Sequence, residues 1–403
     1  MRRKACGGVL AGERRRNGVW EPAMSTPEQV STQAPLPEAG ARPGRDVRTA
    51  VVLPAGSVFS ISQPNSMETV VRTLAAAMTG DAVRIFCDAG AADHGVLDVS
   101  PVPAGPHGLA PLIERLRDFR PDIVEHHQQV KQAVRLARAL PDCAHLLYRH
   151  NALKAPRTPL DIWRYRARFR RMDGFVFVSE AERSKFARTW PKEARRAWSV
   201  PNPIDPEPWL ASPDEREPLV AFAGRATPEK GLAVVCAALP SILDRFPKWR
   251  AILMLGDWDR HQRWAAGHVD PLRRYGDRVV VLRSAPLGEV RRRMKTAAIA
   301  LTPSLWAEPF GLTAVEALAA GAALISSGRG GLREASGPYA RYLTDVTPAA
   351  LTAAVEDLIL QPNRRLALAR AGQRYVIEAH SPAIRAARLA GIRETLVANR
   401  VDR

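Results

Sequence analysis

The sequence predicts an α/β fold of two doubly wound parallel sheets, in two domains that face each other across a cleft. Three observations carry this. From Thr49 onward, apolar runs of about four to six residues alternate with helical patterns, which marks strands buried on both faces. The second half of the chain repeats the scheme of the first. Between them, Val200–Pro208 carries four prolines and breaks the rhythm. Proline fixes the backbone and cannot donate to a ladder, so this stretch reads as a link.

In order, the expected strands of the first half are Ala50–Pro54, Ala82–Cys87, Asp122–Glu125, Ala144–Arg149, Gly174–Val178 and Ala197–Val200. Helical patterns lie between them at Met67–Met78, Leu109–Phe119, Val130–Leu140 and Glu180–Thr189. The second half offers strands at Leu219–Ala223, Ala251–Leu255, Arg278–Leu282, Ala297–Thr302 and Ala322–Ser326. The expected organisation is a disordered tail over 1–48, a first domain over 49–201, a second over 202–380, and a terminal helix over 381–403 that crosses back to the first domain. Met24 is an alternative start.

The chain has 403 residues, enough for two cores, and a formal net charge of +18. Such charge admits nucleic acid, an anionic membrane face or phosphorylated substrates as partners, although a GC-rich genome would also raise the arginine content. Cys6, Cys87, Cys143 and Cys236 are scattered, with no metal-binding spacing, which suits a reducing cytoplasm. No apolar run reaches the roughly 18 residues of a membrane span, and the basic N-terminus lacks the apolar core of a secretory signal. A cytoplasmic placement is expected, either free or on the inner face of the membrane.

Two segments of the second half concentrate chemistry. After Ala297–Thr302 comes Ala307-Glu-Pro-Phe-Gly-Leu-Thr-Ala-Val-Glu-Ala-Leu-Ala-Ala-Gly321. Pro309 and Gly311 permit a tight turn into a helix over Leu312–Ala320, whose unpaired N–H groups form an anion site. Glu308 and Glu316 could both point into the cleft and accept hydroxyls; equally, they could be a helix-start charge and a solvated helix residue. After Leu219–Ala223, Gly224 lets the chain turn, Arg225 and Lys230 offer two cations suited to a diphosphate, and Gly231 allows close packing where the next helix begins. Ordinary loop charge is the competing explanation.

Taken together, Phe-Ala-Gly-Arg225…Glu-Lys230-Gly231, Pro303-Ser304, Glu308-Pro-Phe-Gly311, the Glu308/Glu316 pair, Gly330-Gly331…Glu334, Val200-Pro-Asn202-Pro-Ile-Asp205 and Phe177-Val-Ser179 resemble glycosyltransferase family 4, retaining enzymes of the GT-B fold. The resemblance runs from about Ala50 to His380 and is stronger in the second domain. It implies a hexosyltransferase that uses a nucleotide-diphosphate sugar, without a metal or other cofactor, and a glycan or lipid-linked acceptor. By the same resemblance, Arg225 and Lys230 hold the diphosphate and Glu316 binds the ribose. Glu308, with the backbone of Phe310, Gly311, Leu312 and Thr313, holds the transferred sugar and the phosphates. The loop Arg283–Leu287, with Ser284 and Leu287, faces the nucleobase, and His150 lies near the sugar. The leaving phosphate itself takes the acceptor proton, so no side-chain nucleophile is named.

His126 and His127 are weaker candidates, either structural or acceptor-facing. Asp257-Trp-Asp259 spells a metal-binding D-x-D but sits in a second-domain loop, the wrong setting for that role. Where many family members have a Gly-Gly turn, this chain has Ser60–Glu68, with Asn65 and Glu68 spaced as a helix cap. Pro159–Met172 interleaves arginines with aromatics, either a membrane-facing surface or core plus a solvated face. That surface hints at envelope polysaccharide or lipopolysaccharide assembly. Rival classes are a nucleic-acid-binding protein, for which no signature is present, a sugar phosphorylase or epimerase, and a non-catalytic scaffold.

Overall fold

The computed structural model describes residues 47–61, 65–79, 82–90, 94–103 and 108–401. Residues 1–46 of the expected tail, with Cys6 and Met24, lie outside them. Val47 and Arg48, assigned to that tail, belong to the body: Val47 is buried and the Arg48 N–H donates to the Asp122 carboxylate at 2.9 Å.

The first half reads β1 (Thr49–Val52), α1 (Ser66–Ala77), β2 (Val83–Asp88), β3 (Val99–Val102), α2 (Leu109–Phe119), β4 (Ile123–His127), α3 (Val130–Ala139), β5 (Ala144–Arg149), α4 (Pro159–Phe169), β6 (Gly174–Phe177), α5 (Glu180–Thr189) and β7 (Ala197–Ser199). Its strands form one parallel sheet in the order β3-β2-β1-β4-β5-β6-β7. Both β4 and β5 are buried throughout, which is why Ile-Val-Glu-His-His and Ala-His-Leu-Leu-Tyr-Arg do not alternate polar and apolar residues.

The second half reads β8 (Glu217–Arg225), α6 (Leu232–Arg245), β9 (Arg250–Gly256), α7 (Trp258–Val269), β10 (Val279–Arg283), α8 (Leu287–Met294), β11 (Ala297–Thr302), α9 (Leu312–Ala319), β12 (Ala323–Ser326), α10 (Leu332–Ser336), β13 (Arg341–Tyr342), α11 (Pro348–Leu360), α12 (Pro362–Ala379) and α13 (Pro382–Val401). Its parallel sheet runs β10-β9-β8-β11-β12-β13. In both sheets the chain order reverses beside the first strand, at β1/β4 and at β8/β11. A doubly wound sheet opens a crevice at that point, beyond the carboxyl ends of its strands.

Three features join the halves. The proline link is packed rather than loose: Ile204 and Trp209 are buried, and the Ile204 N–H donates to the His380 carbonyl at 3.0 Å. One apolar cluster runs from Ile123, Leu146 and Tyr148 through Val200, Ile204 and Trp209 to Ala221, Ala300 and Phe310. Helix α13 returns to the first half, packing on α1, β4 and β5. A polar contact adds to these. The Glu334 carboxylate of α10 accepts the backbone N–H groups of Glu180 and Ala181, each at 2.7 Å, at the start of α5. An anion there meets the positive end of the helix dipole.

Candidate active site

A cavity of about 370 Å³ opens between the halves. Asn65, Ser66, Gln128, His150 and Asn151 line it from the first half, Asn202 from the link, and Arg225, Lys230, Ser304, Trp306 and Glu308–Thr313 from the second. Its walls follow from the strand ends. β11 closes at Thr302, and Pro303–Gly311 then folds back as a loop before α9.

That loop is held by close backbone approach. Glu308 forms a parallel bridge with Gly330, and the Gly331 N–H donates to the Glu308 carbonyl at 2.7 Å. A β-carbon on Gly330 would lie 2.3 Å from that carbonyl oxygen. Gly231, with φ +79°, fits the same logic from below: its β-carbon would meet the Pro303 carbonyl oxygen at 2.1 Å. Only glycine tolerates both the conformation and the contact.

The site's electrostatics centre on Glu308, which is 5% exposed. Its Oε1 accepts from Lys230 Nζ at 2.7 Å and from Ser304 Oγ at 2.5 Å. Lys230 also lines the cavity. Arg225 is half-exposed and pairs with Glu229 at 3.2 Å.

Two helix starts border the cavity, and they differ. At α1, Asn65 Oδ1 accepts from the Met67 and Glu68 N–H groups, and the Glu68 carboxylate accepts the Asn65 N–H. That capping box uses the donors an anion would need. At α9, Gly311 leads into the helix with φ +112° and no side-chain cap. Leu312 and Thr313 line the cavity at that start, where the first N–H groups of a helix lack partners within it and the dipole is positive. An anion is therefore favoured at α9.

The structure corrects several expectations. Gly224 makes no turn; it continues β8, which runs on through Arg225, and the chain reverses only at Ala226–Lys230. Glu308 and Glu316 do not share the cavity. Glu308 lines it, whereas Glu316, one turn into α9, is absent from its wall. Burial pushes the Glu316 carboxyl up to about 7, with Arg291 of α8 countering only in part. Gly224, Ser284 and Leu287 are also absent from the wall. Ser284 Oγ accepts the Trp258 N–H at 3.3 Å, and Leu287 packs into the apolar cluster beneath. Asp257 is the turn residue between β9 and α7 and makes no side-chain cap, whereas Asp259 lies not in a loop but in the first turn of α7.

His126 and His127 have separate fates. His126 Nε2 meets His145 Nδ1 at 3.0 Å, and His145 Nε2 donates to the Leu140 carbonyl at 2.9 Å, a buried structural chain. His127 instead leads to the cavity. Its Nδ1 lies 2.7 Å from His150 Nε2, and its Nε2 lies 2.8 Å from Glu125 Oε1. Glu125 is clamped from α13 by Arg393, at 3.0 and 2.8 Å. Burial alone would raise the Glu125 carboxyl, but Arg393 and His127 outweigh it and hold it down to about 2. Gln128, with φ +64°, lends its side-chain oxygen to the His150 N–H at 3.2 Å. Glu125, Gln128 and Arg393 were not read from the sequence. The only local signal was a carboxylate and two histidines within a strand buried on both faces.

Two family models tile most of the body: residues 67–208 match Glycosyltransferase Family 4, and residues 208–375 match Glycosyl transferases group 1. The chain belongs to glycosyltransferase family 4. Among curated relatives, the chain is 29% identical over 245 residues to an alpha-maltose-1-phosphate synthase of Mycolicibacterium smegmatis, covering 54% of this chain and 62% of that one. It is 32% identical over 192 residues to a phosphatidyl-myo-inositol mannosyltransferase of the same organism, covering 43% and 47%. The matches thus span about half to three fifths of these relatives. Among solved structures, sucrose-phosphate synthase of Thermosynechococcus elongatus superposes with a TM-score of 0.72 at 19% identity, over 87% of this chain and 100% of that one. Anabaena HepE in complex with UDP and glucose gives 0.69 at 18%, with the same coverage. These likenesses show the GT-B fold.

Proposed function

We propose that this chain is a retaining glycosyltransferase that moves a hexose from a nucleotide-diphosphate sugar to a hydroxyl of a glycan or lipid-linked acceptor, without a metal. The observation that carries this reading is the uncapped start of α9 beside Lys230 and Arg225, facing His150 across one cavity. A diphosphate matches those donors and cations. In the step itself, the bond from the sugar's C1 to the phosphate oxygen breaks, with its electron pair leaving on the phosphate. The acceptor oxygen bonds to C1 on the same face and passes its proton to that phosphate oxygen. The protein's share is positioning and stabilising the leaving charge, with Lys230 and the α9 backbone in that role. Glu316 binds the ribose, as the family resemblance implies.

A thermal-shift screen against UDP-, GDP- and ADP-sugars, with and without EDTA, tests donor class and metal need together. One nucleotide series is expected to raise Tm, unchanged by EDTA; no shift with any would overturn the reading. Run at pH 6 and 8, the same plate tests Glu316. A carboxyl raised to about 7 is mostly protonated at pH 6, so affinity should rise about tenfold from pH 6 to 8, and Glu316→Gln should flatten that rise. The sign for stability is opposite. A raised carboxyl pKa favours the unliganded fold below the unfolded-state pKa, and that contribution is lost as pH rises through 7.

One surface favours a lipid-linked acceptor. Helix α4 exposes Leu160, Ile162 and Trp163, the last at 66%, beside exposed Arg157, Arg164, Arg166, Arg170 and Arg171. Apolar side chains ringed by cations suit an anionic bilayer face. Co-sedimentation with vesicles containing phosphatidylglycerol is expected, falling severalfold in Trp163→Asp and absent with phosphatidylcholine alone. Equal binding to both lipids would count against it.

A further inference from the structure

The buried chain Arg393–Glu125–His127–His150 crosses from the terminal helix to the cavity without a break, and each link restricts the next. Arg393 and Glu125 are both about 1% exposed, as is His127. Glu125 can only accept when ionised, so the ring nitrogen facing it, His127 Nε2, must carry hydrogen. With both rings neutral, His127 Nδ1 is then an acceptor, and His150 Nε2 must donate to it across the 2.7 Å contact. What remains to His150, on a residue lining the cavity, is an unprotonated Nδ1.

We infer that Glu125 and His127 are positioning residues that fix His150 in its Nε2–H tautomer, leaving Nδ1 as the acceptor for a substrate hydroxyl in the cleft. The ring stack supports the same constraint. Tyr148 lies against both His127 and His150, at 5.0 and 4.8 Å between centroids and 13° between planes, so neither ring can turn freely. The Gln128 side chain holds the His150 backbone as well. Burial, His127 and Arg149 keep the His150 pKa well below the usual histidine value, consistent with a neutral ring. The tautomer follows from this geometry for neutral rings, whereas its use toward a sugar rests on the transferase reading.

Glu125→Gln provides a test because it inverts the chain while keeping its shape. The oxygen of the substituted amide stays with Arg393, and its NH₂ group then donates to His127 Nε2. The His127 proton moves to Nδ1 and donates to His150 Nε2, and the His150 proton moves to Nδ1. Long-range ¹H–¹⁵N correlation spectra of the full chain at pH 8, without substrate, read this directly. Wild type is expected to show His150 protonated at Nε2 and Glu125→Gln at Nδ1. His127→Phe, which keeps the stack and cuts the chain, should give a mixture. Transfer by Glu125→Gln should fall by at least about tenfold with Tm reported alongside. Should Glu125→Gln fail to fold, the His127→Phe spectrum decides. An unchanged His150 tautomer in the folded variants overturns the proposal. Absence of transfer in wild type with every donor, beside the inverted spectra, would overturn the transferase reading and leave the tautomer assignment standing.

Discussion

Replacing Lys230 with methionine is expected to lower kcat by about 10²–10³-fold, the usual cost of removing one preorganised donor from a developing charge. Lys230 is the cation that the fold fixes most firmly at the cavity. It follows the turn after β8, ends the short helical turn before Gly231, and is 2.7 Å from Glu308. Arg225 is more exposed and tied to a surface carboxylate, so its loss should cost less. Part of the Lys230 effect is indirect, since methionine leaves buried Glu308 with only the Ser304 hydroxyl. The double variant Lys230→Met/Glu308→Gln separates the two contributions. If Lys230 acts on the leaving phosphate, the double variant stays slow. A recovery to within about threefold of wild type would assign Lys230 to holding Glu308 and nothing more.

Arg393→Met is expected to destabilise the fold by about 3–5 kcal/mol, because it strands a buried carboxylate. Urea unfolding at pH 7 measures this. The wild-type sign is clear. Glu125, held down to about 2, contributes stability above its unfolded-state pKa and loses it as pH falls through 2. Without Arg393, burial dominates and the carboxyl prefers its proton, so the variant's deficit should shrink as the medium is acidified. Adding Glu125→Leu should recover most of the loss even at pH 7, since an apolar pair replaces a broken ionic one. A deficit under about 1 kcal/mol for Arg393→Met would show that water reaches Glu125.

How much of this could be read from the sequence depended on whether the cause was local. The two-sheet scheme was visible because doubly buried strands such as Ala297–Thr302 are apolar throughout, and the uncapped start of α9 because Pro309 and Gly311 precede a helix. Strand β3 was missed: it holds Pro101 and lies at the sheet's edge, where a missing donor is tolerated but the pattern weakens. Strand β13 spans two residues. Helix α4 carries arginines and aromatics around its axis and buries only Phe169, so no single stripe announced it. Gly224 was misread because a glycine before a loop suggests a turn, yet here the ladder with β9 continues through Arg225. Glu125 and Arg393 are 268 residues apart, and nothing local to either names the other.

The return of α13 also decides how the two halves could be recombined with those of relatives. Residues 382–401 are encoded after the second half but supply Arg393 and the apolar face of Ala386, Leu389, Ile392 and Leu396 to the first. A chimera spliced once, within the proline link, would pair a first half with a foreign closing helix and leave Glu125 facing a mismatched partner. Two junctions are needed, one near Pro201 and one near Ser381, so that the second half is exchanged as an insert inside a discontinuous host.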